Sequence, residues 1–149
     1  MKNNTHNTIW EAALRLIQTR PHSKKELGLK LKKRFSDEDV LIERVIGEMQ
    51  NVQLLNDRRF TEDFVHHLIQ KPIGRIKIMV ETRKKGLDSD LVEQMLMNEG
   101  WSEEGSAKWA MEEKDRILNE SDPRKRKMKL INFLRNRGFR DEVIYRITA

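Results

Sequence analysis

The chain of 149 residues contains no cysteine, which excludes disulfide bonds and thiolate metal ligands and fits a reducing compartment. Its seven glycines and three prolines form neither a phosphate-binding loop nor a nucleophile elbow. No apolar run approaches the roughly 20 residues of a membrane span. The N-terminal stretch also lacks the apolar core of a signal peptide. We therefore expect a cytoplasmic protein without membrane association.

Patterns for catalysis and metal binding are also missing. His66 and His67 are the closest histidines, but adjacent residues point to different sides of a helix, whereas helical metal-binding pairs lie three or four residues apart. The paired acids Glu103 and Glu104 lie in a charge-mixed segment, where ordinary exposed helix surface is expected. We predict no enzyme activity, no cofactor and no metal site.

Charge is abundant and apolar residues are few, at 36% and 37% of the chain, against about 25% and roughly 45–50% in typical domains. This composition favours small helical units over one large core. Apolar residues recur at helical spacing nearly throughout the chain, which predicts an all-α fold. Helix starts are predicted at polar capping residues and ends at glycines. The predicted caps are Ser23 (with Glu26 in a capping box), Asp57, Asp88 or Ser89, Ser102 and a residue of the SDP turn at Ser121 to Pro123, and the predicted terminators are Gly86, Gly100 and Gly138. Pro72 is predicted in the first turn of a helix.

One pattern occurs three times along the chain. ETRKKGLDSDLVEQML starts at Glu81 and FLRNRGFRDEVIYRI starts at Phe133, each with basic residues, a glycine and an apolar helix stripe. A fainter copy lacks the glycine. The aligned apolar anchors are Leu27, Ile78 and Leu130, and then Val40, Leu91 and Val143. The period predicts three tandem three-helix repeats at residues 1–52, 53–100 and 101–149. It is also compatible with collapse of all nine helices into one globule.

Basic residues cluster at equivalent places in the three copies. The candidate binding residues are Lys32, Lys33 and Arg34, then Arg83, Lys84 and Lys85, and then Arg124, Lys125, Arg126, Lys127, Arg135 and Arg137. The net charge is +6, and residues 122–149 carry nine bases against three acids. Cations near helix C-termini also stabilise the helix dipole by about 0.3–1 kcal/mol. The clusters therefore predict either ordinary helix surface or a basic track for phosphates or an acidic protein groove.

Four further stretches follow one another along the chain: RPHSKKEL from Arg20, LLNDRRFTEDFV from Leu54, RIKIMVETRKKGLDSDLVEQML from Arg75 and LINFLRNRGFRDEVI from Leu130. Together they resemble the RecX regulators of the RecA recombinase. Of the family's aromatic-glycine-proline stretch only Gly74 is kept here, and Thr82 stands where leucine is usual. The resemblance implies an elongated, curved, all-α array of three repeats without catalytic activity.

The same resemblance implies binding in the groove of the RecA–DNA filament. Such binding usually inhibits recombination, ATPase and coprotease activities, within DNA repair and the SOS response. We expect a monomer that contacts the filament through its basic clusters. The alternative is a helix-turn-helix-like module that binds DNA weakly and without sequence preference, because the third helices offer mixed, partly acidic side chains.

Overall fold

The computed structural model describes residues 2–149, and these residues form nine α-helices and no strand. The first three are α1 (Lys2–Thr19), α2 (Lys24–Arg34) and α3 (Asp39–Asn51). The next are α4 (Asp57–Leu68), α5 (Arg75–Lys84) and α6 (Ser89–Asn98), followed by α7 (Glu103–Ile117), α8 (Pro123–Asn136) and α9 (Asp141–Thr148). The all-α prediction with three-helix repeats is confirmed. Over the same residues, no helix has both the length and the apolar character of a membrane span.

Most predicted helix starts are confirmed by side chains that accept hydrogen bonds from free backbone N–H groups. The capping oxygens belong to Ser23 (from Glu26 N, 3.2 Å), Asp88 (from Asp90 N, 2.8 Å), Ser102 (from Gly105 N, 3.1 Å) and Asp122 (from Arg124 N, 2.9 Å). Pro123 occupies the first turn of α8, where its missing N–H leaves no intrahelical bond unmade. Local sequence therefore determines where these helices begin.

Two predicted helix starts are wrong. α4 is capped by Asn56, whose Oδ1 accepts from Arg59 N at 3.1 Å, while the Asp57 carboxylate accepts from Lys24 N at 2.8 Å. The Asp57 carboxylate, which was predicted to cap α4, therefore binds the backbone of Lys24 instead. Pro72 lies three residues before α5 rather than in its first turn.

The predicted glycine terminators are confirmed by their backbone angles. Gly86, Gly100 and Gly138 have φ values of 74°, 67° and 84°, in the left-handed region that glycine adopts at little cost. The first copy of the motif has Phe35 after α2, with φ −124°. Helix α2 therefore ends at a residue outside the left-handed region.

The described residues up to Thr61, together with Lys85–Leu87, form one compact unit. Here α1, α2 and α3 pack on one another around an aliphatic core. Its fully buried members include Ile9, Ala13, Leu27, Val45 and Met49. The prediction that Val40 is an apolar anchor is wrong, because its side chain is 81% exposed. The next residue, Leu41, packs against the core instead.

A second compact unit contains Glu62–Lys84 and Asp88–Ala149. α7, α8 and α9 pack on one another around Ala107, Ala110, Leu134 and Ile144, and α5 packs on α6. Thr82 is buried on α5, where its hydroxyl donates to the Ile78 carbonyl at 2.9 Å, so the polar group is satisfied.

The backbone joins the segment before α5 to the segment before α9 in this second unit. Gly74 N donates to Arg137 O at 2.9 Å, and Ile76 N donates to Gly138 O at 3.0 Å. A Cβ atom on Gly74 would lie 2.3 Å from Gly138 O. Only glycine allows this approach of the two chain segments.

Glu103, expected on the surface, is buried in the second unit, which corrects the prediction for this residue. Its carboxylate accepts from Arg75 N at 2.9 Å and from Arg140 Nε at 2.7 Å. Arg75 begins α5 and Arg140 precedes α9. One carboxylate therefore binds at the N-termini of two helices that are far apart in the sequence, where negative charge is favoured.

Candidate partner-binding surface

α8 presents a strongly basic surface in the second unit. Its core side carries Ile131 and Leu134, which are buried. Helical periodicity places a different set of residues on the solvent side, all of them exposed. We define the basic face of α8 as Arg124, Lys125, Met128, Asn132 and Arg135. From Arg124 to Arg135 it extends roughly 16 Å along the helix axis.

Three positive charges at the start of this helix have no neutralising partner within the described part of the chain. Among the described residues, Arg124, Lys125 and Lys127 have no acidic partner within ion-pair distance. Lys125 and Lys127 are exposed, as is Arg124. Cationic side chains without an internal partner leave a positive potential that an anionic partner can use.

Arg126 differs from its neighbours because it is bound within the protein. Its guanidinium lies 2.6 Å from an oxygen of Asp115 and donates to the carbonyls of Leu118 at 3.1 Å and Glu120 at 2.9 Å. These contacts fasten the α7–α8 connection to the first turn of α8. Arg126 therefore has a structural role, although its place in the basic cluster predicted a role in binding.

At the other end of the face, Arg135 combines an internal contact with exposure. Its Nε donates to Asp141 at 2.9 Å, and its Nη2 donates to the Tyr145 hydroxyl at 2.7 Å. The hydrogen bond to Asp141 is the main reason that the pKa of Arg135 is raised. Arg137 instead stacks on the Phe133 ring, with 4.9 Å between guanidinium carbon and ring centroid. These contacts orient two of the candidate cations.

The α2 cluster belongs to the first unit. Lys32 Nζ lies 3.7 Å from Asp39, and Arg34 lies over the Phe35 ring at 5.4 Å. Lys33 is exposed and forms no ion pair within the described part of the chain. Lys33 and Arg34 border the same surface groove.

The three basic residues around the end of α5 have different environments. Arg83 is exposed, and Lys84 Nζ lies 3.4 Å from Glu81 on the same helix. Lys85 belongs to the first unit, where its Nζ lies 2.7 Å from the Glu26 carboxylate, which also accepts from Arg20 at 2.6 Å. The bonds from Arg20 and Lys85 lower the pKa of Glu26 to about 2. Lys85 therefore stabilises the first unit, and a continuous basic track along three repeats stays a prediction.

Sequence reasoning missed Met128 and Asn132 as members of the basic face. Their four-residue spacing from Arg124 is the signal that places all three on one side of α8. Met128 is 52% exposed, so the face has an apolar centre between its cations. Across the described residues, no three potential metal ligands lie together, and His66 Nδ1 pairs with Glu99 at 2.9 Å.

The chain is similar to known proteins over most of its length. A family model described as the second three-helix domain of RecX matches residues 56–96. The regulatory protein RecX of Chlorobaculum tepidum is 35% identical over 133 residues, which cover 89% of this chain and 81% of that protein. RecX of Pelodictyon phaeoclathratiforme is 38% identical over 129 residues, covering 85% and 78%.

Solved structures agree on the fold. The crystal structure of RecX from Lactobacillus salivarius superposes with a TM-score of 0.79 at 21% identity, covering 97% of this chain and 95% of that one. A second crystal structure of a regulatory protein RecX gives 0.84 at 17% identity, covering 98% and 74%. The sequence identity with the two RecX proteins shows shared family membership as well as a shared fold. The chain belongs to the RecX family of regulatory proteins.

Proposed function

We propose that this protein is a non-enzymatic regulator of the RecA recombinase. It docks in the groove of the RecA–DNA filament as a cytoplasmic monomer and inhibits recombination, ATPase and coprotease activity. Membership of the RecX family supports the regulatory role. The basic face of α8 is the observation that supports docking through charge.

The chemistry of that face suits an anionic partner. Among the residues that the structure describes, Arg124 and Lys125 have no acidic partner within ion-pair distance, and Arg135 is oriented by Asp141 and Tyr145. Guanidinium groups bind carboxylates and phosphates through paired hydrogen bonds. Either acidic residues of the filament or DNA phosphates would satisfy this arrangement. Met128 adds apolar contact in the middle.

The direct experiment measures RecA ATPase on single-stranded DNA while the purified protein is added up to one molecule per RecA protomer. We expect progressive inhibition of ATP hydrolysis and of strand exchange. Unchanged rates of both reactions at the stoichiometric ratio would contradict the proposal.

Non-specific DNA binding is the second candidate function, and one observation supports it. The basic face carries Arg124, Asn132 and Arg135, residue types that contact phosphates and base edges. The face lies on α8, the second helix of its repeat, whereas a helix-turn-helix module would use α9. Salt-titrated binding to DNA duplexes of different sequence, in the absence of RecA, tests this candidate. Salt-sensitive binding that is equal for all sequences would support non-specific DNA binding, and no binding at about 150 mM salt together with inhibition of RecA would favour the filament regulator.

A further inference from the structure

A groove between α1 and α2 in the first unit has an aliphatic floor. Ala12 and Leu16 form the α1 side, and Leu31 forms the α2 side. Its volume of about 330 Å³ lies at the small end of ligand pockets, which span roughly 300–1,000 Å³. The space suits a side chain from a docked segment better than a large cofactor.

Cations surround this floor. Arg15 lies on the α1 side, and Lys30, Lys33 and Arg34 lie on the α2 side. Among the described residues, no carboxylate lines the groove, and neither Arg15 nor Lys33 has an acidic partner within ion-pair distance. The rim is therefore positive over an apolar base.

One of these cations is fixed by a buried histidine. Lys30 Nζ donates to His22 Nε2 at 2.8 Å, while His22 Nδ1 donates to the Arg20 carbonyl at 2.8 Å. Burial is the main cause that lowers the pKa of His22, so its ring is neutral near neutral pH and accepts from the ammonium group. Lys30 is thus held at the groove by a neutral acceptor and not by a carboxylate.

We propose that this groove binds an acidic peptide segment that inserts one aliphatic side chain. The aliphatic floor receives the side chain, and the Arg15, Lys30, Lys33 and Arg34 cations pair with flanking carboxylates. A single-stranded nucleic acid fits less well, because no aromatic ring among the described lining residues offers a stacking surface. The segment's defining features are clustered Asp or Glu on both sides of a Leu, Ile or Met.

The test uses a fluorescein-labelled 12-residue peptide of Asp and Glu with one central Leu, and a second peptide with Ser at that position. Fluorescence anisotropy gives Kd for each with the full chain. We expect the Ser peptide to bind roughly fivefold more weakly, because it loses the buried apolar side chain. Equal affinity for the two peptides would overturn the proposal.

Charge reversal locates the site. Arg15→Glu with Lys33→Glu should raise Kd for the Leu peptide roughly tenfold, since two rim attractions become repulsions. The matched control is Arg116→Glu with Lys71→Glu, which changes net charge equally at two exposed positions outside the groove; it should leave Kd within about twofold. Circular dichroism checks that both variants keep the helical content of the parent.

Other results would overturn the assignment. Equal weakening in both double variants would indicate non-specific electrostatics. Displacement of the peptide by an oligothymidylate, lost with Arg15→Glu and Lys33→Glu, would assign a nucleic acid to the groove. Dimerisation in sedimentation runs that the same variant abolishes would assign a second copy of the chain. The assay contains no recombinase, so its outcome is independent of the proposed function.

Discussion

Glu103 Oε1 lies 2.7 Å from Arg140 Nε, although the two residues stand 37 positions apart in the sequence. The Glu103 side chain is 4% exposed and that of Arg140 is 42% exposed. The hydrogen bond to Glu103 is the main cause that raises the pKa of Arg140. Since Glu103 also accepts from Arg75 N, it connects the starts of α5, α7 and α9.

Glu103→Gln tests this connection. The amide keeps the shape but removes the charge and turns one acceptor into a donor facing other donors. We expect the free energy of unfolding to fall by about 2–4 kcal/mol, as when a buried charged partner is removed. Urea denaturation followed by circular dichroism measures the change.

The neighbouring Glu104 supplies the control. Its cationic partners, Lys108 and Arg146, lie at 4.0 Å, and its side chain is 38% exposed. Glu104→Gln should alter stability by less than about 0.5 kcal/mol. Similar losses in the two variants would mean that burial of Glu103 has no special energetic role.

Gly74→Ala addresses the close approach of two backbone segments. The new Cβ would lie 2.3 Å from Gly138 O and 2.4 Å from Phe139 N, and backbone atoms cannot rotate away as a flexible side chain does. We expect a loss of about 3 kcal/mol or more, or failure to fold, from steric overlap and broken hydrogen bonds. Thermal unfolding of the purified variant gives the result.

Gly47→Ala is the matched control substitution, and its expected effect on the free energy of unfolding is opposite in sign. Gly47 lies inside α3, and no described atom of another helix lies within 4 Å of the position that a Cβ would occupy. Alanine should raise the free energy of unfolding by about 0.5–1 kcal/mol through its higher helix propensity. A destabilised Gly47→Ala together with a tolerant Gly74→Ala would contradict the packing described for both sites.

The Glu26 carboxylate predicts an acid-sensitive contribution to stability. Its pKa is lowered to about 2 by Arg20 and Lys85, below the usual 4.5. A carboxylate with a lower pKa in the folded state contributes stability above pH 4.5 and loses it as the pH falls towards 2. Because Arg20 is 47% exposed, solvent screening limits the contribution to about 1–2 kcal/mol.

Glu26→Gln isolates this effect. At pH 6 the variant should be less stable than the parent by that amount, and the difference should shrink as the pH falls from about 4.5 to about 3. Urea titrations at several pH values provide the comparison. A stability difference that does not change with pH would attribute the loss to packing instead of charge.

Arg124→Glu tests the proposed role of the basic face of α8. A glutamate in the first turn of a helix is favoured by the helix dipole, so the fold should be retained. We expect the concentration for half-inhibition of RecA ATPase to rise roughly tenfold through lost charge complementarity. Arg135 and Arg137 are less suitable targets because they contact Asp141 and Phe133.

Arg116→Glu is the corresponding control, because it reverses an exposed charge on α7 outside the basic face. It should inhibit like the parent protein. Equal loss of inhibition in both variants would mean that net charge, and not the α8 face, determines docking.

Short-range signals in the sequence predicted much of the fold. Ser23, Asp88, Ser102 and Asp122 cap helices as expected, because a cap depends on residues two or three positions away. Gly138 likewise ends its motif with a positive φ. Repetition of these signals indicated three similar units without any knowledge of their packing.

Contacts between distant segments were not predictable in this way. Glu103 looked like ordinary helix surface, and its partners Arg75 and Arg140 lie 28 and 37 residues away. On the functional side, the sequence identified the cations but not their partners. Arg126 and Lys85 are bound to carboxylates of the same unit, whereas Arg124 is not, within the part of the chain that the structure describes. Charge pattern alone does not distinguish a structural cation from an available one.

The backbone bonds from Gly74 N to Arg137 O and from Ile76 N to Gly138 O have a consequence for folding cooperativity. Amides near helix starts normally exchange with solvent quickly, since they lack intrahelical acceptors. These two amides should instead become deuterated only when the second unit opens as a whole. The helices of the second unit would then melt together, as one cooperative folding unit.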